Sequence, residues 1–182
     1  MGRTRLATAW LGGCSGCHMS FLDLDEFLIE LATKADIVFS PVMDIKEYPR
    51  DVDVCLVEGA ICNEEHVEMA HRIRERTKIV VSFGDCAVTG NVSAIRNDLG
   101  PDNDRSVLQR AYVEAAQLNQ CIPAEKGIVP SLLERVVPVH QIIYVDHYLP
   151  GCPPPAARIK LFVTQLLEGK EPQLTGTDIK FG

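Results

Sequence analysis

Residues 5–17 read Arg5-Leu6-Ala7-Thr8-Ala9-Trp10-Leu11-Gly12-Gly13-Cys14-Ser15-Gly16-Cys17, and this stretch decides how the rest of the chain is read. The short apolar run over residues 6–11 predicts a strand that ends at Gly12-Gly13. Directly after it, Phe21, Leu24, Phe27, Leu28 and Leu31 recur at helical spacing, predicting one helix from about Ser20 to Lys34. Strand, glycine turn and helix together open an α/β unit.

The pattern then repeats. Residues 37–40 and 52–58 predict a second and a third strand, the latter ending at Gly59. Asn63 followed by Glu64 and Glu65 supplies an N-cap with acids in the first turn, and Val67, Ala70 and Ile73 mark the buried stripe of a helix to about Arg76. Residues 79–83 form a nearly continuous apolar run, as expected of a strand covered on both faces, closed by Gly84-Asp85. Residues 91–105 read as loop, 106–118 as a helix, and 119–138 as Pro-punctuated chain of no clear type. Residues 142–145 predict a fifth strand. A last helix follows Pro153–Pro155, with Ile159, Phe162, Val163, Leu166 and Leu167 on one face. This alternation predicts an α/β fold with an open, mostly parallel sheet and helices on both faces. In such sheets ligands bind outside the carboxyl ends of the strands.

The 182 residues suit one domain, and 46% apolar with 24% charged residues is an ordinary globular mixture. Eighteen Lys and Arg against 25 Asp and Glu give a net charge of -7 without a basic patch, which argues against a nucleic-acid partner. No run has the 18 or more apolar residues of a membrane span, and the apolar stretch near the start is too short for a signal sequence. A cytoplasmic location is therefore expected, where thiols stay reduced and clustered cysteines point to metal or catalysis.

The seven cysteines divide by position. Cys14 and Cys17 follow the first predicted strand, Cys86 the fourth and Cys152 the fifth. Four thiols from three distant segments are thus placed on one rim, with Gly12, Gly13, Gly16, Gly84 and Gly151 around them. Such a set suits tetrahedral zinc or an iron–sulfur cluster. Structural zinc usually takes two local pairs, whereas here one pair is joined by single ligands 69 and 66 residues further on. That spacing favours a cubane held by loops of a preformed scaffold over zinc. A thioredoxin-like dithiol at Cys14 and Cys17 would leave Cys86 and Cys152 unexplained.

The motifs Cys14-Ser15-Gly16-Cys17, Val57-Glu58-Gly59-Ala60, Gly84-Asp85-Cys86-Ala87 and Leu149-Pro150-Gly151-Cys152-Pro153-Pro154, in this order, resemble the small subunits of nickel–iron hydrogenases. More narrowly, they resemble the short small subunit of the cytoplasmic bidirectional NAD(P)-linked type. The resemblance implies a flavodoxin-like single domain over residues 1–182, with its core over about 5–167 and a tail over 168–182. It also implies one 4Fe-4S cluster bound by Cys14, Cys17, Cys86 and Cys152. No catalytic residue is expected in this chain. The H2-activating nickel–iron centre would lie in a large partner subunit, and electrons would pass to diaphorase subunits carrying flavin and iron–sulfur clusters. Because no cysteine follows Cys152, a single cluster is expected. The related cluster-bearing subunit of NADH:quinone oxidoreductase is the alternative; it uses adjacent cysteines where this chain has Cys14-x-x-Cys17. A non-catalytic zinc-stabilised scaffold is a further one.

Several residues carry two readings. Glu58 either caps nearby N–H groups or serves as a proton relay or extra cluster ligand. His18 either donates to a cluster sulfur or faces outward. His140 and His147 are read as structural or interfacial, and His66 and His71 as lying on a solvated helix face. Cys55 is read as core and Cys62 as a rim residue outside a complete four-ligand set, while Cys121 is given no function. FMN is weighed and not favoured: the loop after Gly13 already carries two cysteines, and no glycine-rich phosphate fingerprint is present.

Overall fold

In the computed structural model, which describes residues 2–179 and 181 apart from the side chain of Thr177, strands and helices alternate along the chain. Strand β1 (Thr4–Trp10) is followed by α1 (Gly16–Leu22), α2 (Phe27–Lys34), β2 (Ala35–Phe39), β3 (Val52–Glu58), β4 (Ile61–Asn63) and α3 (Glu64–Arg76). Then come β5 (Thr77–Phe83), α4 (Asp85–Thr89), a 3-10 helix (Asn91–Leu99), α5 (Asn103–Gln109), β6 (Leu132–Val137), β7 (His147–Leu149) and α6 (Ala156–Leu167).

Five strands form one parallel sheet in the order β2-β1-β3-β5-β7. Counted within that sheet, the order is 2-1-3-4-5, the doubly wound flavodoxin-like arrangement. The expected fold class is therefore the observed one. The order reverses between β1 and β3, so their carboxyl ends splay around a crevice. Alternate residues feed two cores. Leu6, Val54, Leu56 and Val81 pack with Phe21, Leu31 and Phe162 on one face. Ala7, Cys55, Val57 and Val80 pack with Ala70, Ile73 and Ile143 on the other. Burial on both faces is what makes β3 and β5 read as unbroken apolar runs.

The Asn63 cap forms as expected: its side chain accepts from the His66 backbone N–H at 2.8 Å. Four expectations are corrected. The helix over 20–34 is two helices, because the chain turns through Asp25 at φ 48° while keeping Leu24 in the core. Residues 91–105 are not loop but largely the 3-10 helix and the start of α5, and the helix over 106–118 begins earlier and gives way to a π turn at Arg110–Glu114. The fifth strand is His147–Leu149 rather than 142–145; Ile143 and Val145 instead pack into the second core after a short 3-10 turn at Val139–Gln141. A two-stranded antiparallel ribbon, β4 with β6, was not expected. Arg96 fastens that ribbon to the 3-10 helix, donating to the carbonyls of Leu133 at 2.6 Å and Cys62 at 3.3 Å. Among the described residues no helix is long and apolar enough to cross a membrane.

Candidate metal centre

The loops leaving β1, β3, β5 and β7 meet on one rim, held together by backbone hydrogen bonds. Leu11 N–H donates to Glu58 O at 2.8 Å, and Gly12 and Ala60 exchange a pair of bonds at 2.9 Å. On the other side, Gly84 N–H donates to Leu149 O at 2.8 Å and Asp85 N–H to Gly151 O at 2.9 Å. The buried Asp85 carboxylate accepts from Gly151 N–H at 2.6 Å, tying the loop that bears Cys152 to the helix that bears Cys86. Asp85 belongs to the Gly84-Asp85-Cys86-Ala87 motif, yet nothing in the sequence marked it as the clamp between two loops.

Cys14 precedes α1 and is exposed; Cys17 is buried in its first turn. Cys86 is buried in α4, and Cys152 is exposed after β7, before a cis peptide to Pro153. The two buried thiols, Cys17 and Cys86, both feel the exposed ones. Burial, then the charges of Glu58, Cys86, Cys14 and Cys152, push the Cys17 thiol far above its ordinary value. Burial likewise pushes Cys86 up, with Cys152 and Cys14 adding to it and hydrogen bonds from Ser93 opposing it. Thiols that repel once ionised suit a cationic guest that accepts all of them as thiolates.

Room for that guest is written into the backbone. Gly84 has φ 82° and ψ 162°, and a Cβ there would stand 2.1 Å from Cys17 Sγ. Only glycine both adopts this conformation and leaves the sulfur its place. Among the described residues no three His, Cys, Asp or Glu side chains close around a point that a single metal ion would fill. The four thiols share one rim, close enough for Cys17 to feel the charges of the other three. Their number and chemistry fit an iron–sulfur cluster.

Glu58 is 1% exposed at the end of β3. Its carboxylate accepts from the backbone N–H groups of His18 at 3.0 Å and Cys17 at 3.4 Å, and pairs with His18 Nδ1. It therefore caps the first turn of α1, where a negative charge is favoured. His18 Nε2 is buried and finds no hydrogen-bond partner among the described residues. Asn91 enters the site unannounced by the sequence, its Nδ2 donating to Cys152 Sγ at 3.3 Å. Asp85, Thr89, Asn91, Val92, Cys152 and Phe181 line a groove of about 590 Å3 beside it.

The remaining candidates fall elsewhere. Cys55 is fully buried in β3, its thiol pushed up to about 12 by burial and hydrogen-bonded to Tyr48. Cys62 is half-buried on β4, near enough to Cys86 to feel its charge, but its Sγ faces Ala60 O at 3.6 Å. Cys121 is exposed. His71 and His140 are exposed, and His147 packs on Phe162. His66 corrects the expectation of a solvated face: it is half-buried, and its Nδ1 accepts from Cys62 N–H at 3.2 Å, because the Asn63 turn folds α3 back onto β4.

Comparison with known proteins adds lineage to this geometry. The family model described as NADH ubiquinone oxidoreductase, 20 Kd subunit, matches residues 14–166. The chain belongs to this family, as a hydrogenase small subunit. It is 35% identical over 175 residues to the delta subunit of the NAD-reducing hydrogenase HoxS of Cupriavidus necator, covering 93% of this chain and 81% of that one. A subunit of the F420-non-reducing hydrogenase of Methanothermobacter marburgensis is 40% identical over 185 residues, 97% of this chain but 58% of that protein. The chain thus spans little more than half the length of that relative. A chain from a solved NAD+-reducing [NiFe]-hydrogenase in the H2-reduced state matches with a TM-score of 0.92 at 38% identity, over 100% of both chains. A Dm. baculatum [NiFeSe]-hydrogenase chain, at 16% identity and a TM-score of 0.56, shares the fold.

Proposed function

We propose that the chain is the electron-relay subunit of a cytoplasmic, NAD(P)-linked nickel–iron hydrogenase and holds one 4Fe-4S cluster through Cys14, Cys17, Cys86 and Cys152. The observation that carries this reading is the meeting of four thiols from three loops on the carboxyl rim of a sheet whose relatives are hydrogenase subunits. The cluster, when bound, supplies one-electron storage at that rim. This chain's residues hold it by thiolate, aim N–H donors at its sulfurs and keep one side of it dry. H2 activation then belongs to a large subunit, and NAD(P)+ reduction to flavin- and cluster-bearing diaphorase subunits.

The rim is prepared for a partner. Trp10 ends β1, Met19 and Leu22 lie on α1, and Val92 and Ile95 lie on the 3-10 helix after α4, all exposed. An apolar fringe around two exposed cysteines is the composition of an interface that shields a cluster from solvent. Against the zinc-scaffold alternative stands the lineage: the relatives are hydrogenase subunits. Against FMN stands Glu58: in a doubly wound sheet a phosphate would seek the first N–H groups of α1, and a carboxylate of the chain already accepts from two of them.

Anaerobic purification of the complex, with iron and acid-labile sulfide per chain and EPR of the reduced state, tests the reading. Four irons and one cubane signal are expected beyond those of the partner subunits. Cys14→Ser, Cys17→Ser, Cys86→Ser and Cys152→Ser should each abolish H2-dependent NAD(P)+ reduction, while Cys55→Ala and Cys121→Ser keep it. Full activity in any of the first four sinks the assignment.

A further inference from the structure

Asn91 donates a side-chain hydrogen bond to a sulfur of the four-thiol set, and its backbone is built to hold it there. It follows Gly90, whose N–H donates to Cys86 O at 2.9 Å, and it stands at φ 34°, in the left-handed region that asparagine tolerates better than most residues. Its own N–H donates to Thr89 Oγ1 at 3.3 Å, and Thr89 Oγ1 in turn donates to Asp85 O at 2.9 Å. Two residues on, Ser93 donates through its hydroxyl to Gly12 O at 2.7 Å. The turn after α4 is therefore pinned at both ends. Its amide reaches across to Cys152 Sγ, a sulfur of a different loop, at 3.3 Å.

We propose that Asn91 sets the reduction potential of the cluster by donating its side-chain N–H to the Cys152 thiolate. This rests on the cluster reading above and adds to it a residue that the ligand set does not contain. Adding an electron to the cluster raises the negative charge on its sulfurs. A donor fixed on one of them therefore stabilises the reduced state more than the oxidised state and raises the potential. Cys152 is the exposed member of its loop, open to water in the free chain. Once a partner covers the rim, water is displaced, and a donor carried by the chain keeps its effect in a lower dielectric. Asn91 is thus a positioning residue that acts through Cys152 and not a ligand.

The experiment is an EPR-monitored redox titration of the anaerobically purified complex, wild type against Asn91→Gly and Asn91→Asp. Glycine accepts the positive φ and removes the donor; aspartate keeps the shape and replaces the donor with a negative charge. At the potential that half-reduces the wild-type cluster, Asn91→Gly should show a reduced-to-oxidised ratio about tenfold lower, a shift of about 59 mV downward. Asn91→Asp should shift further in the same direction. A second measurement needs no substitution: asparagine labelled with 15N in the side-chain amide should give a nitrogen hyperfine coupling to the reduced wild-type cluster. Variants that hold the cluster and titrate with the wild type overturn the proposal and leave the cluster reading standing. A wild type without a cubane signal beyond those of the partner subunits overturns both, and is seen before any variant is made. If both variants lose iron, the labelled wild type decides, its coupling supporting the proposal and the absence of coupling refuting it.

Discussion

Gly84 and Gly100 form a matched pair that separates backbone strain from the space reserved for a ligand sulfur. Gly84 has φ 82° and ψ 162°, Gly100 φ 89° and ψ -168°, the same glycine-only region. Alanine at either position incurs about 1–3 kcal/mol of backbone strain. They differ in what a Cβ meets. At Gly100 nothing among the described residues lies within 4 Å, whereas at Gly84 the new carbon stands 2.1 Å from Cys17 Sγ and 3.4 Å from Gly151 O. Cys17 has one torsion with which to escape, and using it swings the sulfur off the rim. If the sulfur stays, crowding adds about 1–3 kcal/mol to the strain. If it leaves, the cluster loses a ligand. For a chain of this length, a further 2 kcal/mol corresponds to about 4–8 °C in Tm. The assay is thermal unfolding by circular dichroism beside iron per chain, for Gly84→Ala and Gly100→Ala together. Gly100→Ala should melt somewhat early with full iron; Gly84→Ala should melt earlier still, or lose iron, or both. Equal Tm and equal iron in the two variants would refute the reasoning.

His66 carries a pH prediction. Burial is the larger influence and lowers its pKa, with Glu65 opposing it, so the folded value lies below the unfolded value of about 6.5. The neutral ring accepting from Cys62 N–H is therefore favoured above pH 6.5, and this stability is lost as pH falls through the folded value. Between pH 7.5 and 5.5 the Tm of the wild type should fall more than that of His66→Gln, and identical slopes would count against the assignment. Arg74 joins Asp146 Oδ2 at 2.6 Å, Thr77 O at 2.5 Å and Lys78 O at 2.8 Å. Arg74→Ala should cost about 2–3 kcal/mol, as expected for charge-assisted hydrogen bonds in a partly buried site. In urea this appears as a lower midpoint with an unchanged slope, and with the reduced-state EPR spectrum unaltered.

What was legible in the sequence follows from which signals are local. β3 and β5 could be read because their residues are buried on both faces, and the Asn63 cap because its partner lies three residues away. The break in the first helix could not: Phe21, Leu24, Phe27 and Leu31 all enter the same core, and a turn that preserves the phase of an apolar stripe leaves no mark on it. The last sheet strand was displaced because only three residues pair, Val81 with His147 through Phe83 with Leu149, while the more apolar 142–145 stretch packs without pairing. At the rim the cysteines were readable as residue types at strand ends. Asp85 and Asn91 were not, since their partners, Gly151 and Cys152, lie more than sixty residues away and carry no compositional trace of the contact.

The same long-range bonds bear on what iron does for the fold. In small zinc domains the metal is the core, and its removal unfolds the chain. Here the rim is assembled by the bonds between the β1 and β3 loops and by those joining Gly84, Asp85, Leu149 and Gly151, none of which passes through a sulfur. Both apolar cores fill the faces of a five-stranded sheet below it. Stripping iron with a chelator under oxidising conditions should therefore leave the far-UV circular dichroism and a cooperative melt in place. Only the stabilisation contributed by cluster binding should disappear. Reconstitution with iron and sulfide should then restore the reduced-state signal without a refolding step. Helix content lost in proportion to iron would show instead that the thiolates, rather than the crossed loops, hold the rim together. The Asp85–Gly151 bond would then be a consequence of the cluster and not its scaffold.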